Sequence, residues 1–281
     1  MKTKSTIAVL ATALAAAQLM GANIAFYGST DSGTPYLWSS ETLKAPWVSG
    51  ILPETSDVAL WQGGTDGVTI ANGYVAVDGT YTILHFLVSG TGGKNSNLHL
   101  VFDNAAYASS VLNLGRTGNV FDLNNYSMSF YFEGNGTINM TASSSIISMA
   151  SSVSSARTMD FGAGMSVYQE TGTLTINGAN DTTTDATIVF RGLLDVKTSL
   201  SVADYARLSF NGASSRLVTG TGITINGTSN VQALNGAQIS AGSSIVVKGA
   251  SSLTVGSNSS ISAGSSINLS GSSSLTTEAN S

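Results

Sequence analysis

Residues Ala237–Asn258 read AQISAGSSIVVKGASSLTVGSN and residues Ser259–Asn280 read SSISAGSSINLSGSSSLTTEAN, with 13 of 22 positions identical. The segment of equal length before them, Ser215–Gly236, shares little more than their apolar positions. Aligned, the three segments put Leu217, Ile239 and Ile261 in one column, Ile223, Ile245 and Ile267 in a second, and Val231, Leu253 and Leu275 in a third. The steps from Leu217 to Ile223, Val231 and Ile239 therefore recur unchanged from Ile239 to Ile245, Leu253 and Ile261. One unit earlier, Leu194, Leu200 and Leu208 keep the first two steps, and the longer third step to Leu217 marks a single residue inserted at a turn. Partners at the next position but one accompany many of these residues: Val196, Val202, Phe210, Ile225, Val247, Val255 and Leu269. An apolar period of two is a strand with one face buried. Three such strands per unit describe a triangular coil that lands about 4.8 Å above its start.

Gly227, Gly249 and Gly271 share one turn column, where a corner needs a positive φ that glycine adopts without steric cost. Serine is the commonest residue of this tail, a composition shared with flexible linkers. A linker has no reason to hold branched aliphatics in three columns at a fixed period, whereas a solenoid does. The expected fold is therefore all-β: a parallel β-helix of about 22 residues and three strands per coil, most regular over 194–281. Polar corner residues such as Ser251 are expected at the surface.

Upstream the same alternation is less regular. Val75/Val77, Leu98/Leu100/Phe102, Met128/Phe130/Phe132, Ile138/Met140, Met159/Phe161, Met165/Val167, Leu174/Ile176 and Ile188/Phe190 each put apolar residues two apart between Gly, Asn and Ser. Asn177–Ala186 reads as a loop thrown out from a corner. Residues 23–60 hold all three prolines and two of the three tryptophans, Trp38 and Trp47. Solenoid ends need atypical capping, so the expected division is a signal peptide over 1–22, a cap over 23–60 and β-helix over 61–281.

Residues 1–22 carry the export signal: Lys2 and Lys4, an uncharged Ala- and Leu-rich run from Ile7 to Met20, and small residues before a cut at Ala22/Asn23. The run is shorter than the roughly 20 residues that span hydrocarbon. Export to the outside or to the outer surface of the cell follows, with no membrane-spanning segment expected after cleavage. Charged residues are 10% of the chain and the net charge is −5. The basic residues beyond the signal are scattered, from Lys44 to Lys248, and form no patch of the kind that neutralises nucleic-acid phosphates. There is no cysteine, hence no disulfide framework or thiolate metal site.

Chemistry-bearing residues are sparse. His85 and His99 each alternate with core residues and read as surface histidines. Asp195, Asp204, Lys197 and Arg207 are close enough in sequence to share a face, and Asp181 and Asp185 flank Thr182-Thr183-Thr184 in the 177–186 loop. Gly63-Gly64-Thr65-Asp66-Gly67 and Asp31-Ser32-Gly33 are single copies of motifs that act only in repetition or pairs. No catalytic, cofactor-binding or metal-binding residue is assigned on these signals.

The signal peptide, the stretch Ser56-Asp57-Val58-Ala59-Leu60-Trp61 and the Gly/Ser/Asn-rich strand repeats together resemble the passenger regions of bacterial autotransporters and related surface β-helix proteins. The resemblance implies a right-handed coil displayed at or released from the cell surface. No run of amphipathic membrane strands follows Leu275, so no translocator barrel is expected in this sequence. The expected function is that of a non-catalytic structural or adhesive module that meets a surface ligand or glycan, with end-to-end association through the C-terminal coil. The alternative is a carbohydrate-active β-helix enzyme of lyase or glycoside hydrolase type. A groove of Asp, Lys, Arg and aromatic side chains on one face would separate the two.

Overall fold

The computed structural model describes residues 23–26, 28–30, 32–40, 47, 52–61, 71–88, 97–103, 105–107, 109–122, 128–149, 157–178 and 186–281. The signal segment, the Gly/Asp motif at 63–67, Asp31, and Asp181 and Asp185 lie outside them. Among the described residues there is no helix, and every interstrand pairing between named strands is parallel.

Three strand stacks form the walls of a β-solenoid. The first face comprises Tyr36–Leu37, Asn72–Val77, Asn97–Asp103, the start of Phe130–Met140, Arg157–Phe161, Ala186–Phe190, Arg207–Asn211, Asn230–Leu234, Ser252–Val255 and Ser274–Thr277. The second comprises Thr80–Ile83, Val111–Leu114, the end of Phe130–Met140, Gly164–Gln169, Leu193–Val196, Arg216–Thr219, Gln238–Ala241 and Ser260–Ala263. The third is a ten-stranded sheet running from Asn23–Phe26 to Ile267–Leu269. Phe130–Met140 is one strand bent around the corner between the first two faces, at Gly134 with φ 85°. A Cβ there would sit 1.9 Å from the Phe102 carbonyl oxygen, so only glycine fits.

The three aliphatic columns are the walls themselves. Ile239 pairs with Leu217 and Ile261 on the second face, Ile245 with Ile223 and Ile267 on the third, and Leu253 with Val231 and Leu275 on the first. Gly227, Gly249 and Gly271 turn the corner at φ 75°, 73° and 74°. Toward the N-terminus the core changes from aliphatic to aromatic. Phe132, Phe161, Phe190 and Phe210 form an internal stack, with centroids 4.5, 4.4 and 5.5 Å apart. Phe26, Trp38, Trp47, Trp61 and Phe86 fill the first coils with no exposed surface, and the Trp47 indole N–H donates to the Trp38 carbonyl at 2.8 Å. Asn23–Phe26, inside the expected cap, already pairs in register with Val58–Trp61 as a rung of the third face.

The corner serines correct the sequence reading. Ser251 is 1% exposed, and its hydroxyl accepts from the Ser229 amide at 3.2 Å. Ser215 and Ser259 are likewise buried, with Ser215 Oγ donating to the Phe190 carbonyl and Ser259 Oγ accepting from the Gly236 amide. A tight corner leaves backbone groups of one coil without ladder partners, and an inward hydroxyl satisfies them. Serine is selected there for its small size and its oxygen.

Candidate ligand-binding face

The outer side of the first face gathers the side chains with most chemistry. Tyr74, His99, Tyr131 and Asp160 stand in register on four successive coils. The outward position on a strand is only about 4.7–4.9 Å from its neighbours above and below, so flat rings in that column stack. The imidazole of His99 lies between Tyr74, 4.4 Å away, and Tyr131, 4.5 Å away and inclined by 16°. Its Nδ1 hydrogen-bonds Glu133 Oε1 at 2.8 Å. The expected lone surface histidine is therefore incorrect: His99 points outward but is 9% exposed, and His85 is 7% exposed. Stacking between coils buries both sides of an outward ring.

Beside this ladder is a hollow of about 190 Å³ between Tyr131, Phe132, Glu133, Asp160, Gly162 and Arg191. Arg191 Nε reaches both carboxylate oxygens of Asp160, at 3.1 and 3.2 Å, and its Nη2 donates to Oδ2 at 3.0 Å. The hydrogen bond to Asp160 is the main cause that raises the Arg191 pKa above its ordinary value. Further along the same face a larger hollow, about 400 Å³, is lined by Thr187, Arg207, Leu208, Ser209, Asn230 and Gln232. Its polar groups are planar amides and a guanidinium, with two hydroxyls. These polar groups come from successive coils, with Thr187, Arg207 and Asn230 in one register column and Ser209 and Gln232 in another.

The residues grouped from sequence separate in space. Asp195 lies in the second-face strand Leu193–Val196, Lys197 directly follows it, and the two pair at 2.7 Å. Asp204 turns the corner after the third face with φ 53°, and Arg207 opens a first-face strand. Sequence reasoning missed Tyr131, Glu133, Asp160 and Arg191, because Tyr131 and its register partner Asp160 are separated by more than one regular repeat unit and no fixed period connects them. The available signal was alternation: each occupies a polar slot beside Phe130, Phe132, Phe161 or Phe190. Among the described residues no three of His, Asp and Glu gather as metal ligands would. No protein-family model, curated protein or solved structure matches this chain.

Proposed function

We propose that the chain is an exported surface β-solenoid that acts by binding, without catalysis, and that the outer side of its first face takes a glycan. The observation that carries this reading is the pair of hollows aligned along one face and lined by Arg, Asn, Gln, Ser, Thr and a tyrosine edge. Polyhydroxylated ligands are recognised by such planar polar groups, each able to meet two hydroxyls, and a rod with coils about 4.8 Å apart repeats them at a regular pitch. Residues 1–22 support export. The charged groups of the smaller hollow are engaged with neighbours, Asp160 with Arg191 and Glu133 with His99, which supports holding over turnover. The test is saccharide-array binding by the wild-type chain and by the Arg207→Ala/Asn230→Ala/Gln232→Ala variant. Binding lost in the variant, with an unchanged β-sheet circular dichroism spectrum, is expected. Wild-type protein that binds no saccharide would remove the reading.

Glycoside hydrolysis is the second reading, favoured by one observation: Glu133 and Asp160 line the same hollow. Hydrolysis needs a carboxylic acid and a carboxylate flanking one bond. Release of reducing ends by the wild type, abolished in both Glu133→Gln and Asp160→Asn, would establish it.

Self-association through the C-terminal coil belongs to the same proposal, with a second copy's C-terminal coil as the partner. Ser260–Ala263, Ile267–Leu269 and Ser274–Thr277 are paired on one side only, and Leu269 is 45% exposed beside the half-covered Ile261, Ile267 and Leu275. Unpaired strand edges template another chain. Two copies that meet through this coil cover each other's open edges, so the association is tail to tail and stops at a dimer. Light scattering over a concentration series should show a saturating dimer, absent when a polar coil is fused after Ser281; growing filaments, or a monomer throughout, would refute it.

A further inference from the structure

Arg157 is in the wrong place for an arginine. It begins the first-face strand Arg157–Phe161, in which Arg157, Met159 and Phe161 are buried and the residues between them are half-exposed, so it occupies an inward slot. Its side chain is 1% exposed. Its partner on the next coil is Ala186, itself buried. Nη2 donates to the Met149 carbonyl at 2.8 Å, while Nε and Nη1 are buried without a partner. Among the described residues no carboxylate pairs with it. Burial pushes its pKa down, the direction expected of a cation taken out of water without a counter-charge.

A guanidinium does not give up its proton in a protein, so the charge remains inside the wall. Buried donors are almost always satisfied, and a buried charge is normally paired. Water would meet the N–H groups but supply no charge, and among the described residues none is supplied either. We propose that the inner corner at Arg157 binds a small inorganic monoanion of the halide class, held by the Nε and Nη1 hydrogens. The enclosure sets the size of the ligand, since a side chain with 1% exposure leaves no room for an organic acid to reach it from outside. On the next coil its neighbour is the small Ala186, followed one coil further by the buried Ala206. The site is structural, independent of the outer face, and makes the stability of the middle coils depend on halide.

Two measurements on the full chain test this. In the first, thermal unfolding is followed while sodium chloride replaces sodium gluconate at constant ionic strength, in wild type and in Arg157→Met. The wild-type midpoint rises saturably, by a few degrees at chloride concentrations about tenfold above half-saturation. Arg157→Met shows no such rise and, in gluconate alone, melts no lower than the wild type, because an apolar chain of similar length removes the uncompensated charge. Equal chloride dependence in the two proteins overturns the proposal. In the second, crystals of the wild type grown in sodium bromide are examined by anomalous scattering. A peak within hydrogen-bonding distance of Nε and Nη1 is expected, and a corner holding only water overturns the proposal even if Arg157→Met fails to fold.

Discussion

Replacing Phe161 by alanine tests the internal stack at its most enclosed point. The ring has no exposed surface, and it lies parallel to Phe132 at 4.5 Å and 4° and to Phe190 at 4.4 Å and 2°. Truncating a buried Phe to Ala costs about 3–5 kcal/mol, more where the surroundings cannot close on the cavity. Here they cannot, because each neighbouring ring is fixed by its own strand on its own coil, so the upper half of that range applies. At about 2–4 °C per kcal/mol for a chain of this size, the melting temperature falls by roughly 8–20 °C. The adjacent Asp160 supplies the control. It lies on the outer side of the same strand and pairs with Arg191, whose side chain is 44% exposed. An ion pair so open to water is worth about 0–1 kcal/mol, so Asp160→Ala should hardly move the transition. Urea and thermal unfolding monitored by circular dichroism read both variants. A loss below about 1.5 kcal/mol for Phe161→Ala, or equal losses for the two, would refute the inside/outside assignment of this strand.

Three further outcomes follow from the corners and the N-terminus. Ser251→Ala should cost about 1 kcal/mol by removing the hydrogen bond to the Ser229 amide, and Ser251→Asp several times more by burying a carboxylate, both read from urea midpoints. A silent Ser251→Asp would return this serine to the surface. Gly249→Ala should destabilise by at least the ~1–2 kcal/mol of a left-handed alanine, since φ is 73° and the new Cβ would lie 2.7 Å from the Gly227 carbonyl oxygen. Mass spectrometry of exported protein should show Asn23 as the first residue; retention of Lys2 and Lys4 would instead indicate an anchor.

The walls are legible where coil length is constant and not where it varies. From Leu217 onward each aliphatic residue meets the matching residue of the next repeat unit, so simple alignment recovers the pairing. Upstream, Leu98 pairs with Phe130, Met159 with Ile188, and Ile188 with Leu208, so the length of a coil changes from one turn to the next. Period two still marks those strands, but corner loops of changing length erase the register, and the outward neighbours on successive coils go with it. The Tyr74–His99–Tyr131 ladder is invisible in the sequence for that reason, as is the meeting of Glu133 with Asp160. Ser251 and Arg157 are obscured differently. Their polarity suggests exposure, whereas counting back in twos from Leu253 and from Phe161 puts both on the inward side.

The central claim, that successive units stack as coils at one strand spacing, is tested most directly by distances between spin labels on the outer column of the first face. The chain has no cysteine of its own, so paired Cys substitutions are labelled without background. Tyr131, Asp160, Val189, Ser209, Gln232, Thr254 and Thr276 are register partners in sequence. Labels at Thr276 and at Val189, Asp160 or Tyr131 are therefore four, five and six coils apart. Pulsed electron paramagnetic resonance should give separations of about 19, 24 and 29 Å, rising by about 4.8 Å per coil. Separations that do not rise linearly with coil number would contradict the solenoid.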